Sequence, residues 1–175
     1  NSGKIDSAMY IKGIGNVVSN NFMVSNRTNA AVYTFANLPE PKLEFTKNVF
    51  YNTGDKIYNL QTWGEGKIAK SEDNFFFNIN GHYFIQGVPG ITSLDEWKTV
   101  YNNQYDQNSI KSDPQFINAD AGDYRLGYNS KAYSLGIHNI NLADIGLKAD
   151  FPFADDSLIL DRLYLREMGT TTDKY

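Results

Sequence analysis

Glu65 stands between Gly64 and Gly66, two residues after Trp63, and Asp55 follows Gly54 in the same polar stretch from Tyr51 to Gly66. Hydrolysis of a glycosidic bond generally needs two carboxyl groups flanking the scissile oxygen, about 5 to 9.5 Å apart, with one kept protonated by its surroundings. Glu65 is the best placed acidic residue to be presented in a cleft, and Asp55 is the expected second member of a catalytic pair. Glu44, Glu72 and Asp73 are further carboxylates in this half of the chain, but Asp73 immediately precedes Asn74 and reads as a corner residue. A sugar also needs a flat aromatic face and polar groups for its hydroxyls. Trp63, Tyr58, His82 and Tyr83 are the expected substrate-binding residues, against the plainer readings that Trp63 packs on its own loop and that His82, after Gly81, belongs to a turn. His138 is the other histidine and there is no cysteine, so a multi-histidine or thiolate metal site is excluded and no cofactor is expected. No serine elbow or phosphate loop appears, and Gly13-Ile14-Gly15 lacks the third glycine of a dinucleotide loop.

The elements that must hold these residues announce themselves by repetition. Asn21-Phe22-Met23-Val24, Asn48-Val49-Phe50-Tyr51 and Asn74-Phe75-Phe76-Phe77 each set an asparagine before an aromatic-rich apolar run, at steps of 27 (48 minus 21) and 26 (74 minus 48) residues. A period in the range of roughly 20 to 50 residues is the mark of a stacked repeat, whose units cannot bury their apolar faces separately. A parallel β-helix explains the asparagines, because a buried amide donates to the amide of one neighbouring coil and accepts from the other. Stacked Phe22, Val49 and Phe75, or Met23, Phe50 and Phe76, would then fill the interior. The predicted fold is all-β, a right-handed parallel β-helix represented by its C-terminal coils, a short helix and a closing tail. Strands are expected near Met9–Ile11, Ala31–Phe35 and Leu43–Phe45. Pro39 and Pro41 place the segment around them in an outer loop.

With 175 residues, 41% of them hydrophobic, the chain can build a real core, which argues against disorder. Sixteen basic and twenty acidic residues give a net charge of −4 with no Lys/Arg run, so nucleic acid is not an expected partner. No apolar stretch approaches the roughly 18 residues of a membrane span. A period near 26 residues gives three or four coils, and residues 1–10 enter the repeat without a cap. Earlier coils are therefore expected from a second polypeptide or from an N-terminal segment outside this sequence.

Around Ser93 the period changes. Ser93-Leu94-Asp95-Glu96 matches a capping box, and Trp97, Val100 and Tyr101 follow at helical spacing, so a short helix is predicted over 94–101, covering one side or one end of the stack. Next come Asp113-Pro114-Gln115-Phe116, Asp123-Tyr124-Arg125-Leu126, Ser130-Lys131-Ala132, Gly136 and Asp144-Ile145-Gly146. In this order they resemble the closing segment of bacterial right-handed parallel β-helix (pectate-lyase-like) proteins, with Lys131 where that family usually has proline. Phe116 and Ile117 are expected to plug apolar surface, and Tyr124 with Leu126 to form a final strand on the last coil. Asn118 to Asp123 alternates oxygen ligands before a glycine but lacks the distal glutamate of a calcium loop, so a satisfied turn is expected.

The resemblance covers 110–147 closely and the coils through their general pattern. It divides the chain into 1–147, the coils and closing segment, and 148–175, a linker or the start of a following module. It implies an extracellular or cell-surface protein that acts on glycans, chiefly a glycoside hydrolase of oligo- or polysaccharides. A non-catalytic carbohydrate-binding or adhesin module stays open beside it, as does a polysaccharide lyase, although the Lys/Arg cluster usual in uronate clefts is not seen.

Overall fold

The asparagines before the aromatic runs mark one point in three successive passes of the chain. The computed structural model describes residues 9–11, 13–25, 32–34, 42–52, 57–60, 67–81, 83, 85–86, 88, 90–100, 102 and 104–141. The first pass contributes β1 (Met9–Ile11), β2 (Val17–Ser19) and β3 (Phe22–Ser25). The second contributes β4 (Val32–Thr34), β5 (Leu43–Thr46) and β6 (Val49–Asn52), and the third β7 (Tyr58–Leu60), β8 (Ile68–Glu72) and β9 (Phe75–Asn78). Then follow β10 (Ile85–Gln86), α1 (Leu94–Thr99) and β11 (Ile110–Lys111). Each pass thus supplies one strand to each of three parallel sheets, ordered β1-β4-β7-β10, β2-β5-β8 and β3-β6-β9-β11. The described part is predominantly β, with parallel sheets and one short helix. The chain divides into two units, Asn1–Asn139 and Ile140–Tyr175, and residues 148–175 lie outside the described residues.

Register follows the repeat. Phe22, Val49 and Phe75 are Cα partners, as are Met23, Phe50 and Phe76. Strand side chains alternate between faces, so only one of these sets can face the interior. It is Met23, Phe50 and Phe76, which join Phe45, Ile68 and Ile85 in the main core, with the Phe50 and Phe76 rings stacked at 5.0 Å. Phe22, Val49 and Phe75 point the other way and meet Leu126, Ala132 and Ile137 of the tail. The tail therefore covers the outer face of the third sheet around Val49 and Phe75.

Alternation also turns Asn48, Asn52, Asn74 and Asn78 inward, where an unpaired amide would be costly. Asn48 Oδ1 accepts from Asn21 N at 3.0 Å and Asn21 Nδ2 at 3.2 Å. One pass on, Asn74 Oδ1 accepts from Asn48 N at 3.0 Å and Asn48 Nδ2 at 3.1 Å. Each amide also returns a bond to the sheet behind it, Asn48 Nδ2 to Val18 O and Asn74 Nδ2 to Phe45 O, both 2.9 Å. A second, shorter ladder joins Asn78 Nδ2 to Asn52 Oδ1 at 2.9 Å. The corner before each principal ladder residue is left-handed: φ is 59° at Asn20, 56° at Lys47 and 56° at Asp73. A bend of this kind takes the chain from β2, β5 and β8 into the neighbouring sheet, at a strain that lysine and aspartate bear without glycine's help.

Two elements cover the β8 edge at the far end of the stack. Ser93 Oγ accepts from Glu96 N at 3.1 Å, while the Glu96 carboxylate reaches back to Thr92 N at 2.7 Å, one residue before the expected cap amide. The helix ends at Thr99 and not 101, because Val100 turns extended at ψ 140°. Its Leu94 and Trp97 are buried in the main core, and Trp97 stacks on Tyr105 at 5.2 Å. Tyr105 OH donates to Ile68 O and Asp106 N to Ser71 O, satisfying carbonyls of β8, the edge strand of its sheet.

The tail departs from expectation. Phe116–Asn118 (β12) and Asp123–Leu126 (β13) pair antiparallel with each other, so Tyr124 and Leu126 add no strand to the parallel stack, which ends on Ile110–Lys111. Phe116 and Leu126 do pack on apolar surface, but Ile117, the alternate residue, is 56% exposed. Asn118 Oδ1 accepts from Ala121 N, and Gly122 turns left-handed at φ 78°, which is a satisfied turn between the two strands. Lys131 is the first residue of a 3₁₀ turn, Lys131–Leu135, capped by Ser130. That is a position where proline fits without losing a hydrogen bond, and lysine fits equally.

Candidate functional site

Of the residues expected to do chemistry, Glu65, Asp55, Trp63 and His82 lie outside the described residues. Tyr58 opens β7, its backbone opposite Val32 and Ile85, inside a stretch whose polarity suggested a loop. Tyr83 is 2% exposed, its ring edge-on to Phe76 in the main core at 5.6 Å, so it offers no open face to a sugar. Glu44 stands in register with Lys70. Glu72 Oε1 accepts from Asn108 N at 2.5 Å and Asp73 N at 3.2 Å, and serves the backbone of the closing segment.

The carboxylate that sequence reasoning missed is Asp106. It is fully buried beyond the last ladder amide and takes four donors: Asn74 Nδ2 at 2.9 Å and Ser109 Oγ at 2.6 Å on Oδ1, Ser71 Oγ at 2.7 Å and Trp97 Nε1 at 2.8 Å on Oδ2. Burial pushes this carboxyl above the ordinary range, and the hydrogen bonds from Asn74, Ser109, Ser71 and Trp97 work against that rise. Each oxygen faces one donor that is held in place: the indole N–H of Trp97, which has no acceptor form, or the NH₂ of Asn74, whose Oδ1 is engaged by Asn48 N. Only a carboxyl group accepts at both positions, whichever its protonation state; the two serine hydroxyls rotate to suit. Asp106 thereby ends the ladder with an acceptor, in the direction that the backbone N–H groups of Asn21 and Asn48 also require.

Outside the stack, alternation places a second group of residues together. Tyr51 and Phe77 are register partners on the outward face of β6 and β9, with centroids 5.4 Å apart. The hairpin β12–β13 lays Phe116 at 5.2 Å and Tyr124 at 6.3 Å from the Tyr51 ring. Tyr51, Phe77 and Tyr124 are half-buried, which leaves part of an aromatic shelf in solvent. Burial raises the Tyr51 hydroxyl, and the charge of Asp113, the neighbouring Tyr124 and the charge of Asp120 raise it further. Asp113 and Asp120 are exposed and border the shelf with negative charge. Asp123, by contrast, is held at about 2 by the Arg125 guanidinium, which donates to it at 2.8 and 2.6 Å. Aromatic planes beside carboxylate acceptors match the two needs of a pyranose, an apolar face and hydroxyl donors. The signal for this shelf was in the chain: if Asn48, Phe50 and Asn52 face inward, Tyr51 must face out.

Comparison with protein-family models, with curated proteins and with solved structures finds no match to this chain. Among the described residues no helix is long and apolar enough to cross a membrane.

Proposed function

We propose that the chain is the C-terminal part of a right-handed parallel β-helix in an extracellular glycan-active protein, and that the Tyr51–Phe77–Tyr124 shelf holds sugar. Three parallel sheets built by successive passes of about 26 residues support the architecture, and the strong right-handed preference of parallel crossovers supports the hand. The aromatic shelf bordered by Asp113 and Asp120 carries the functional reading. In this reading the protein is a glycoside hydrolase of oligo- or polysaccharides, with Glu65 and Asp55 as its carboxyl pair; Asp55 follows Tyr51 by four residues (55 minus 51). In this reading earlier coils, from a second polypeptide or an upstream segment, continue the stack.

A non-catalytic binding module is the second reading. It is favoured by the structural employment of Glu72 on Asn108 N, of Asp106 in the interior and of Asp123 on Arg125. Titrating oligosaccharides into the intact chain and assaying aryl glycosides with it separates the two. Turnover that falls with Glu65→Ala or Asp55→Ala supports the hydrolase, and binding without turnover supports the module. Failure of Tyr51→Ala and Tyr124→Ala to weaken binding would remove the shelf from either.

A further inference from the structure

The aromatic shelf is bordered by charge of one sign. Tyr51 and Phe77 lie one strand apart on the outward face of β6 and β9, and Val24 of β3 is the register partner of Tyr51 on its other side. All three are half-buried, so successive passes set a row of apolar groups along the stack. The hairpin lays Phe116 and Tyr124 against Tyr51 at 5.2 and 6.3 Å. Asp113 stands before β12 and Asp120 in the turn Ala119–Ala121 that follows it, so an exposed carboxylate lies at each end of that strand. Asp113 Oδ1 accepts from Gln115 N at 2.7 Å, a neutral donor that leaves the charge in place. The guanidinium of Arg125 is taken up by Asp123 at 2.6 Å. Burial, then Asp113, Tyr124 and Asp120, all raise the Tyr51 hydroxyl, and no cation opposes them.

We propose that the shelf selects a sugar chain with free amino groups, a cationic hexosamine oligomer, over its N-acetylated, neutral or uronic counterparts. An ammonium group makes a charge-assisted hydrogen bond to an exposed carboxylate and is drawn to the face of a tyrosine ring. A hydroxyl gains only one of these, an acetamido group has lost the charge, and a uronate meets charge of its own sign. The net charge of −4 favours approach of the same polymer. A row of apolar groups serves successive sugar rings, whereas a lysine side chain would use one position of it, so the sugar is the better occupant. The proposal rests on the sugar-binding reading of the shelf and adds the charge of the ligand.

Oligomers of glucosamine and of N-acetylglucosamine, alike in linkage and length, are the probes. They are titrated into the intact chain by calorimetry, in mildly acidic buffer where the amines are protonated and the aspartates ionised. Exposed ion pairs are weak, so the glucosamine oligomer is expected to bind about three- to tenfold more tightly at low salt. The difference is expected to shrink below about twofold at about 0.5 M salt, where exposed charges are screened. The Asp113→Asn/Asp120→Asn protein, in which the new amide oxygen of residue 113 can keep the bond from Gln115 N, is expected to bind the two oligomers alike. No binding of the glucosamine oligomer, equal binding of the two by the parent, or a preference that survives in the double variant would overturn the proposal. So would an oligolysine of matched charge that binds as tightly as the glucosamine oligomer. Equal binding that Tyr124→Ala weakens refutes the amine and keeps the shelf, whereas binding that Tyr51→Ala and Tyr124→Ala leave unchanged refutes the shelf and the proposal with it.

Discussion

Replacing Asp106 by asparagine changes a single oxygen to an NH₂ group, yet the site has no place for it. Asn74 Nδ2 and Trp97 Nε1 point at different oxygens, at 2.9 and 2.8 Å; the indole N–H has no acceptor form, and Asn74 cannot swap its amide ends without losing the bond that its Oδ1 accepts from Asn48 N. Whichever way the new amide is flipped, one fixed donor in a fully buried site faces another donor. Leaving such a group unsatisfied costs about 1–3 kcal/mol, and Asp106→Asn is expected to lower stability by that amount at neutral pH. Ser71 and Ser109 soften the loss by rotating their hydroxyls, and removal of a buried carboxylate offsets part of it. Urea unfolding followed by tryptophan fluorescence measures the change as a lower midpoint at unchanged slope.

The pH dependence gives an independent check. The folded-state value of Asp106 is raised, so the folded protein holds its proton to higher pH than the unfolded chain does. Its contribution is full below the unfolded carboxyl value and declines as pH rises toward the folded one. Asparagine has no such decline, so the stability gap between the two proteins is widest at acid pH and narrows toward neutrality. An Asp106→Asn protein as stable as the parent throughout, or a gap that widens with rising pH, would refute the account of the ladder's end.

Asn48→Ala removes the acceptor of two Asn21 donors and one donor each from Val18 O and Asn74 Oδ1, the latter keeping its bond from the backbone N–H of residue 48, and is expected to cost about 2–4 kcal/mol by chemical denaturation, as several partners lose a bond at once. Phe76→Ala opens the centre of the aromatic stack and is expected to cost about 3–5 kcal/mol in the same assay. Ser93→Ala strips the cap from α1 at about 1 kcal/mol, whereas Ser93→Gly costs only a few tenths, a contrast that thermal melts can resolve. Tyr124→Ala is expected to weaken oligosaccharide binding at least tenfold by calorimetry, at a stability cost of about 1–2 kcal/mol because its half-buried ring packs edge-on against Phe116.

Much of this molecule can be read along one dimension. The Asn21–Asn48–Asn74 spacing predicts the register, because a repeat that cannot bury its own face must present the same residues to the same neighbours in every pass. The capping box predicts α1 because capping is local, and the tail residues Asp113, Gly122 and Gly136 carry their turn chemistry in their types. Other features depend on contacts between segments distant in sequence. Phe22, Val49 and Phe75 look like interior residues from their composition; the interior belongs to Met23, Phe50 and Phe76 because the tail covers the other face. The corner at Asp73 is legible from its place before Asn74, but the one at Lys47 escapes notice, since its left-handed backbone is imposed by the sheets on either side and not by a glycine. Asp106 is an ordinary aspartate in an unremarkable polar stretch until folding brings it within 2.9 Å of Asn74, 32 residues away in sequence. Only the assembled stack makes it the acceptor that terminates the ladder, just as only the antiparallel hairpin brings Tyr124 to Tyr51 and turns separate aromatics into a shelf.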